Sequence, residues 1–208
     1  MPVRLVHWLL AGLIAFSWWS VHNHHTDWHI WSGCAILTLL LFRLLWGFVG
    51  SSTARFSSFV RGPGAVLRYL RGGWSGIGHT PLGAVSVIAL FLAVAVQVGL
   101  GLFSEDEDGL YLGPLARLIN PDTSDKIRDI HETWFNVLLG LIVLHVGAII
   151  FYRFLGKHLT KPMITGRAAL DPGVAPMRRG KWWVALICLA VAVGVTRWII
   201  GGAPPFSS

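Results

Sequence analysis

The sequence predicts an all-α integral membrane protein, with four transmembrane helices gathered into a bundle and a fifth at the carboxyl end. Three observations predict it. The 208 residues are 54% hydrophobic and 13% charged, with 11 Trp and a mean hydropathy of +0.61, outside the range of soluble domains. Five mostly apolar stretches, 4–21, 28–50, 80–103, 127–152 and 182–200, have the length of roughly 17 to 25 residues that a helix needs to cross the hydrocarbon core. The connecting segments alternate in charge, as loops on opposite sides of a bilayer do.

The first stretch, 4–21, is short enough to be weighed as a signal peptide, but no small-residue cleavage site follows "AFSWWSVHNHH", so it is read as a span. The turn after it carries His22, His24, His25 and His29 within eight residues, and the second span runs from there to Gly50. Segment 51–79 holds Arg55, Arg61, Arg68 and Arg71 without an acid; within it "GPGAVLRYLRGG" reads either as a short helix lying on anionic headgroups or as a solvated linker. After the third span, segment 104–126 holds six acids against Arg117 and Lys126. "DTSDK" at 122–126 predicts the start of the fourth helix, with Thr123 or Ser124 as N-cap and Asp125 in the first turn. Segment 153–181 then carries seven Lys or Arg against Asp171 alone.

Both basic segments are expected in the cytoplasm and the acidic one outside, which puts the amino terminus inside and the carboxyl terminus outside. Trp18, Trp19, Trp28 and Trp31 are then expected in the outer aromatic belt, and Trp46, Trp182 and Trp183 in the inner one. The net charge of +7 is accounted for by these loops, so no nucleic acid is expected as a partner. Cys34 and Cys188 lie in different spans near opposite faces, too far apart for a disulfide, and neither belongs to a C-x-x-C-H haem-attachment motif.

His131 and His145 stand 14 residues apart on the fourth span, about four turns or about 21 Å, on nearly one face, with Leu138 midway. Intramembrane histidines are costly in lipid and need partners. His7 on the first span falls at the depth of His145, and His29 at that of His131, so two facing pairs are expected. Two imidazoles on opposite sides of one iron hold a haem without covalent attachment and leave no open coordination position, an arrangement for electron transfer. Gly33, one turn after His29, would let a flat macrocycle approach the backbone. His22, 15 residues after His7, is a rival to His29, and His22, His24 and His25 with Asp27 are a weaker candidate for a separate metal site. Arg43, at the depth of the His7/His145 pair, either pairs with a haem propionate or snorkels to the headgroups. Arg4 and Arg153 are further propionate candidates, and His79 in "GHTPLG" suits a propionate, a quinone headgroup or the bare interface.

"RLVHWLLAG" at 4–12, "HIWSG" at 29–33, "LLLFRLLWGFVG" at 39–50, "FVRGP" at 59–63, "GHTPLG" at 78–83, "IHETW" at 130–134, "LHV" at 144–146 and "MITGR" at 163–167, in this order, resemble the bacterial cytochrome b561-like membrane cytochromes b, a group that includes the b-type subunits of nickel-iron hydrogenases. The resemblance implies a four-helix core over 1–168 binding two b haems through His7, His29, His131 and His145, followed by a linker and fifth span over 169–208. It implies electron exchange between the quinone pool and a periplasmic cytochrome c or a dehydrogenase- or hydrogenase-type subunit. The expected protein is an electron-transfer subunit of a quinone-linked oxidoreductase, surrounded by membrane lipid and compatible with an oligomer. Two alternatives stand beside it: a quinone reductase oxidising superoxide or another small molecule, for which outer cations are sparse, and a haem-free proton or metal-ion transporter, which would need interrupted spans.

Overall fold

A computed structural model describes residues 2–59, 62–71, 80–106, 108–156, 159–166, 178 and 180–204. The chain forms α1 (Pro2–His22), α2 (Thr26–Val49), the short α3 (Phe56–Phe59) and α4 (Pro63–Leu70), α5 (Pro81–Phe103), α6 (Pro121–Phe154), the short α7 (Thr160–Thr165) and α8 (Trp182–Ile200). The expected spans are α1, α2, α5, α6 and α8, each long and apolar enough to cross a membrane. Among the described residues, β pairing is confined to one bridge between Glu105 and Leu112. The segment expected to form a short surface helix does so as α4, where Leu67 and Arg68 are exposed.

Helix ends follow local chemistry. Thr80 caps α5 by accepting the Gly83 N–H at 3.1 Å, with Pro81 in the first turn, where its missing donor costs nothing. The start expected for the fourth span is corrected. Asn120, not Thr123 or Ser124, is the N-cap of α6: its side chain accepts the Thr123 N–H at 2.8 Å, Pro121 opens the helix, and Asp122 rather than Asp125 lies in the first turn. Ser124 has another use, since its hydroxyl donates to the Phe103 carbonyl at 2.7 Å and ties α6 to the end of α5. The 34 residues of α6 extend about 51 Å, well beyond a hydrocarbon core of about 30 Å, so its first turns stand clear of it.

Close packing joins α1 to α2 and α5 to α6, and α2 alone bridges to both α5 and α8. One core cluster joins Ile36 and Leu40 of α2, Ala93, Val94 and Val98 of α5, and Leu138 of α6. A second joins Val6, Phe42, Trp46, Ala54, Cys188 and Ala192. On α8 the small residues Cys188, Ala192 and Thr196 recur every four positions and are buried, and Thr38 Oγ1 donates to Thr196 Oγ1 at 2.9 Å, an interhelical bond of the kind that holds spans together in lipid. Cys34 lies one turn from Thr38, and Cys188 two turns from Thr196 in the other direction, so the two free thiols are about 18 Å apart along the axes.

Trp46 is a second correction. Expected in the aromatic belt, it is only 1% exposed, stacked on Phe42 at 6.0 Å between centroids and covered by Gly180 and Gly50, beside which a methyl group would not fit. Its partners come from α2 itself, from the turn after it and from the segment before α8, which the periodicity of α2 alone does not reveal. The remaining belt candidates, Trp18, Trp19, Trp28, Trp31, Trp182 and Trp183, are exposed.

Candidate functional site

The helix pairing sets two histidine pairs inside the bundle, one above the other. His7 of α1 faces His145 of α6 with ring centroids 6.4 Å apart and planes at 61°. His29 of α2 faces His131 of α6 at 6.0 Å and 89°. Two metal–nitrogen bonds of about 2 Å, plus roughly 1 Å from each nitrogen to its ring centre, span about 6 Å, so a single metal fits between the rings of either pair. Leu138, 1% exposed, stands between the two levels on α6.

Three of the four rings are held by the nitrogen nearer the backbone. His29 Nδ1 lies 3.0 Å from both the Ser17 hydroxyl and the Ser17 carbonyl oxygen. His131 Nδ1 lies 2.9 Å from the Gln97 carbonyl, and His145 Nδ1 lies 3.0 Å from the Ser86 hydroxyl. At His29 and His131, where the partner is a carbonyl oxygen, Nδ1 donates and carries the proton and Nε2 presents a lone pair, the state a metal ligand requires, whereas the Ser86 hydroxyl can either donate to His145 Nδ1 or accept from it. His7 has no hydrogen bond among the described residues. The Gln97 amide nitrogen donates to the His131 carbonyl at 3.1 Å and lies 3.3 and 3.1 Å from the two ring nitrogens. That near-equality keeps it off the Nε2 lone-pair axis.

Glycine makes the His131 contact possible. A Cβ on Gly101 would come within 3.0 Å of His131 Cε1, and Gly101 follows Gln97 by one turn, so its bare Cα uncovers the carbonyl that the imidazole reaches. Trp134, one turn past His131, donates Nε1–H to the Ala93 carbonyl at 3.0 Å and fixes α6 against α5 at this level. Ser17, Ser86, Gln97, Gly101 and Trp134 are not anticipated by the sequence reading. The spacing Gln97–Gly101 is the available signal, but a glycine in an apolar helix has many other readings. A Cβ on Gly33 would meet nothing within 4 Å, so the space beside Gly33 is open.

Arg43 is buried, 6% exposed, with its guanidinium 5.0 Å from the Phe56 ring centre and Nη1 without a hydrogen-bond partner among the described residues. It therefore does not snorkel. An unpaired guanidinium nitrogen inside a bundle is costly unless an anionic group meets it. Arg4 serves elsewhere. Its Nη1 donates to the Ile164 carbonyl at 2.9 Å, and Trp8 Nε1 donates to the Met163 carbonyl at 3.2 Å, so the start of α1 holds α7, whose C-cap Gly166 is left-handed at φ 73°. Arg153 is exposed at the end of α6, and His79 lies outside the described residues. His22 lies against Trp18 with ring centroids 4.4 Å apart and planes at 40°, its Nδ1 is 2.9 Å from the Trp18 carbonyl, and it is exposed. His25 stacks on Trp28 at 4.4 Å, His24 is exposed, and among the described residues no three metal-ligating side chains cluster.

The donor set thus suits a ferric or ferrous porphyrin: paired imidazoles at coordination spacing, open space beside Gly33 and a buried cation near one level. A family model described as prokaryotic cytochrome b561 matches residues 1–166. No curated protein and no solved structure matches the chain.

Proposed function

Because the chain belongs to the prokaryotic cytochrome b561 family of membrane b-type cytochromes that act in electron transfer, we propose that it carries electrons through two b haems, His7 with His145 holding one and His29 with His131 the other. What supports this reading is the spacing of about 6 Å between ring centres in both pairs, with Nδ1 engaged in three of the four rings. The haems would supply one-electron chemistry without an open coordination position. The protein's own work is to aim Nε2 of three of the rings, through Ser17, Gln97 and Ser86, and to meet a propionate with Arg43. Leu138 and its neighbours fill the interior between the levels with hydrocarbon and exclude water.

In this reading the amino-terminal end of the bundle faces the cytoplasm and the carboxyl terminus the periplasm, residues 1–168 form the di-haem core, and α8 after the linker braces α2. Electrons pass between the quinone pool and a periplasmic cytochrome c or a dehydrogenase- or hydrogenase-type subunit. A haem-free transporter is disfavoured by the family and by five unbroken spans. A reduced-minus-oxidised spectrum with haem quantification tests the reading: two haems per chain in the unaltered protein and about one in each of His7→Ala, His29→Ala, His131→Ala and His145→Ala. Two full haems in His29→Ala would remove the second pair and restore His22 as its rival.

A further inference from the structure

The turn after α2 and the segment leading into α8 are joined where the two spans end on the same side of the bundle. Ser52 N–H donates to the Arg178 carbonyl at 3.1 Å, and Arg178 N–H donates to the Ser52 hydroxyl at 3.1 Å, across 126 residues of sequence. The joint is tight: a Cβ on Gly180 would come within 2.8 Å of Trp46 ring carbons and 3.0 Å of Ser51 N. Both bonds use the Arg178 backbone, so its side chain is left exposed. Two more exposed cations flank it, Arg55 three residues past Ser52 and Lys181 three residues past Arg178. Each is held locally: Arg55 Nε donates to the Gly50 carbonyl at 3.0 Å, and Lys181 Nζ lies 5.5 Å from the Trp183 ring centre. Among the described residues no carboxylate pairs with any of the three, and the two loops that supply them, 51–79 and 153–181, contain Asp171 as their one acid. Their depth is set by the spans. Val49 ends α2, Trp182 begins α8, and the exposed rings of Trp182 and Trp183 belong at the level of the lipid headgroups. Fixed cations at that depth meet phosphodiesters rather than water alone.

We propose that this corner between α2 and α8 binds one anionic phospholipid, its phosphodiester held by Arg55, Arg178 and Lys181 and its acyl chains lying along α8. The lipid then bridges from outside the two segments that Ser52 and Arg178 join from within, and fastens the fifth span to the bundle. A free phosphate ion shares the headgroup chemistry but has no chains to lay against the helix. The exposed Arg68 and Arg71, at the end of α4, are cations of the same basic loop without such a joint, and they serve as the comparison.

Native mass spectrometry of the purified full chain tests the proposal, with phosphatidylglycerol, phosphatidylethanolamine and inorganic phosphate as probes. One phosphatidylglycerol per chain should be retained, phosphatidylethanolamine should bind more weakly, and inorganic phosphate at the same concentration should not displace the lipid. Arg178→Gln combined with Lys181→Gln should weaken phosphatidylglycerol binding by about tenfold or more, because two of the three cations are gone while both backbone bonds to Ser52 remain. Arg68→Gln combined with Arg71→Gln should leave binding unchanged. Equal losses in the two double variants would mean diffuse attraction to a basic surface and overturn the proposal. So would equal retention of the two lipids, or displacement by inorganic phosphate, and both of these are read on the unaltered protein even if a variant fails to fold.

Discussion

Gly101 is where one atom decides a contact. A methyl group there would stand 3.0 Å from His131 Cε1 and partly cover the Gln97 carbonyl, so Gly101→Ala should tilt the ring off its acceptor. Under the di-haem reading the expected outcome is a haem content falling from two towards one per chain with the His7/His145 signal intact; an unchanged spectrum and content would show that the ring does not depend on this gap. Histidine positions were legible because a period of 14 residues and matched depths are properties of ideal helices. The groups that hold the rings were not. Ser17, Ser86 and Gln97 act across helix pairs, through two backbone carbonyls that no sequence displays and through hydroxyls common in apolar spans. Arg43 was legible as an anomaly, and its burial beside Phe56 is what speaks against snorkelling.

At the level of elements, the five spans followed from hydropathy to within a few residues, whereas the start of α6 did not. "NPDTSD" offers several capping side chains. Asn120 prevails because Pro121 fits the first turn and because Ser124 is drawn to the Phe103 carbonyl. Asn120→Ala should therefore cost about 1 kcal/mol of stability, read as a lowered thermal midpoint, while Thr123→Ala should cost much less. Leu138 is buried where α2, α5 and α6 meet, and Leu138→Ala should cost about 2–5 kcal/mol by loss of contact and by the cavity left behind. Thr38→Val removes the hydroxyl that bonds α2 to α8; about 1 kcal/mol is expected, seen as easier thermal release of the last span.

Over the whole molecule, the segregation of charge was plain in the sequence, but the shape of the acidic segment was not. Its chain folds back on itself: Asp106 accepts the Tyr111 N–H through its carboxylate at 2.8 Å, and Glu105 bridges to Leu112, leaving Asp108 exposed. Replacing residues 105–108 by their amides removes only charge, because Asp106→Asn still offers a carbonyl oxygen to the Tyr111 N–H. Electron exchange with a basic soluble partner should then slow at low salt and hardly change at high salt, because exposed charges act through long-range steering. A rate that is equal at both salt concentrations before and after replacement would exclude docking at this segment. The role of α8 was the least legible feature, since it bears no histidine, and its contribution emerges only from the side chains it presses against α2.

The layer made by Ile36, Leu40, Ala93, Val94 and Leu138 separates the two histidine levels with methyl and methylene groups alone. Protons migrate by hopping along chains of hydroxyls, carboxylates or water, and this waist offers no such stepping stone, whereas electron tunnelling needs none. Charge that crosses it must leave its proton behind, so under the di-haem reading each electron passed between the two ends of the bundle would move net charge across the membrane.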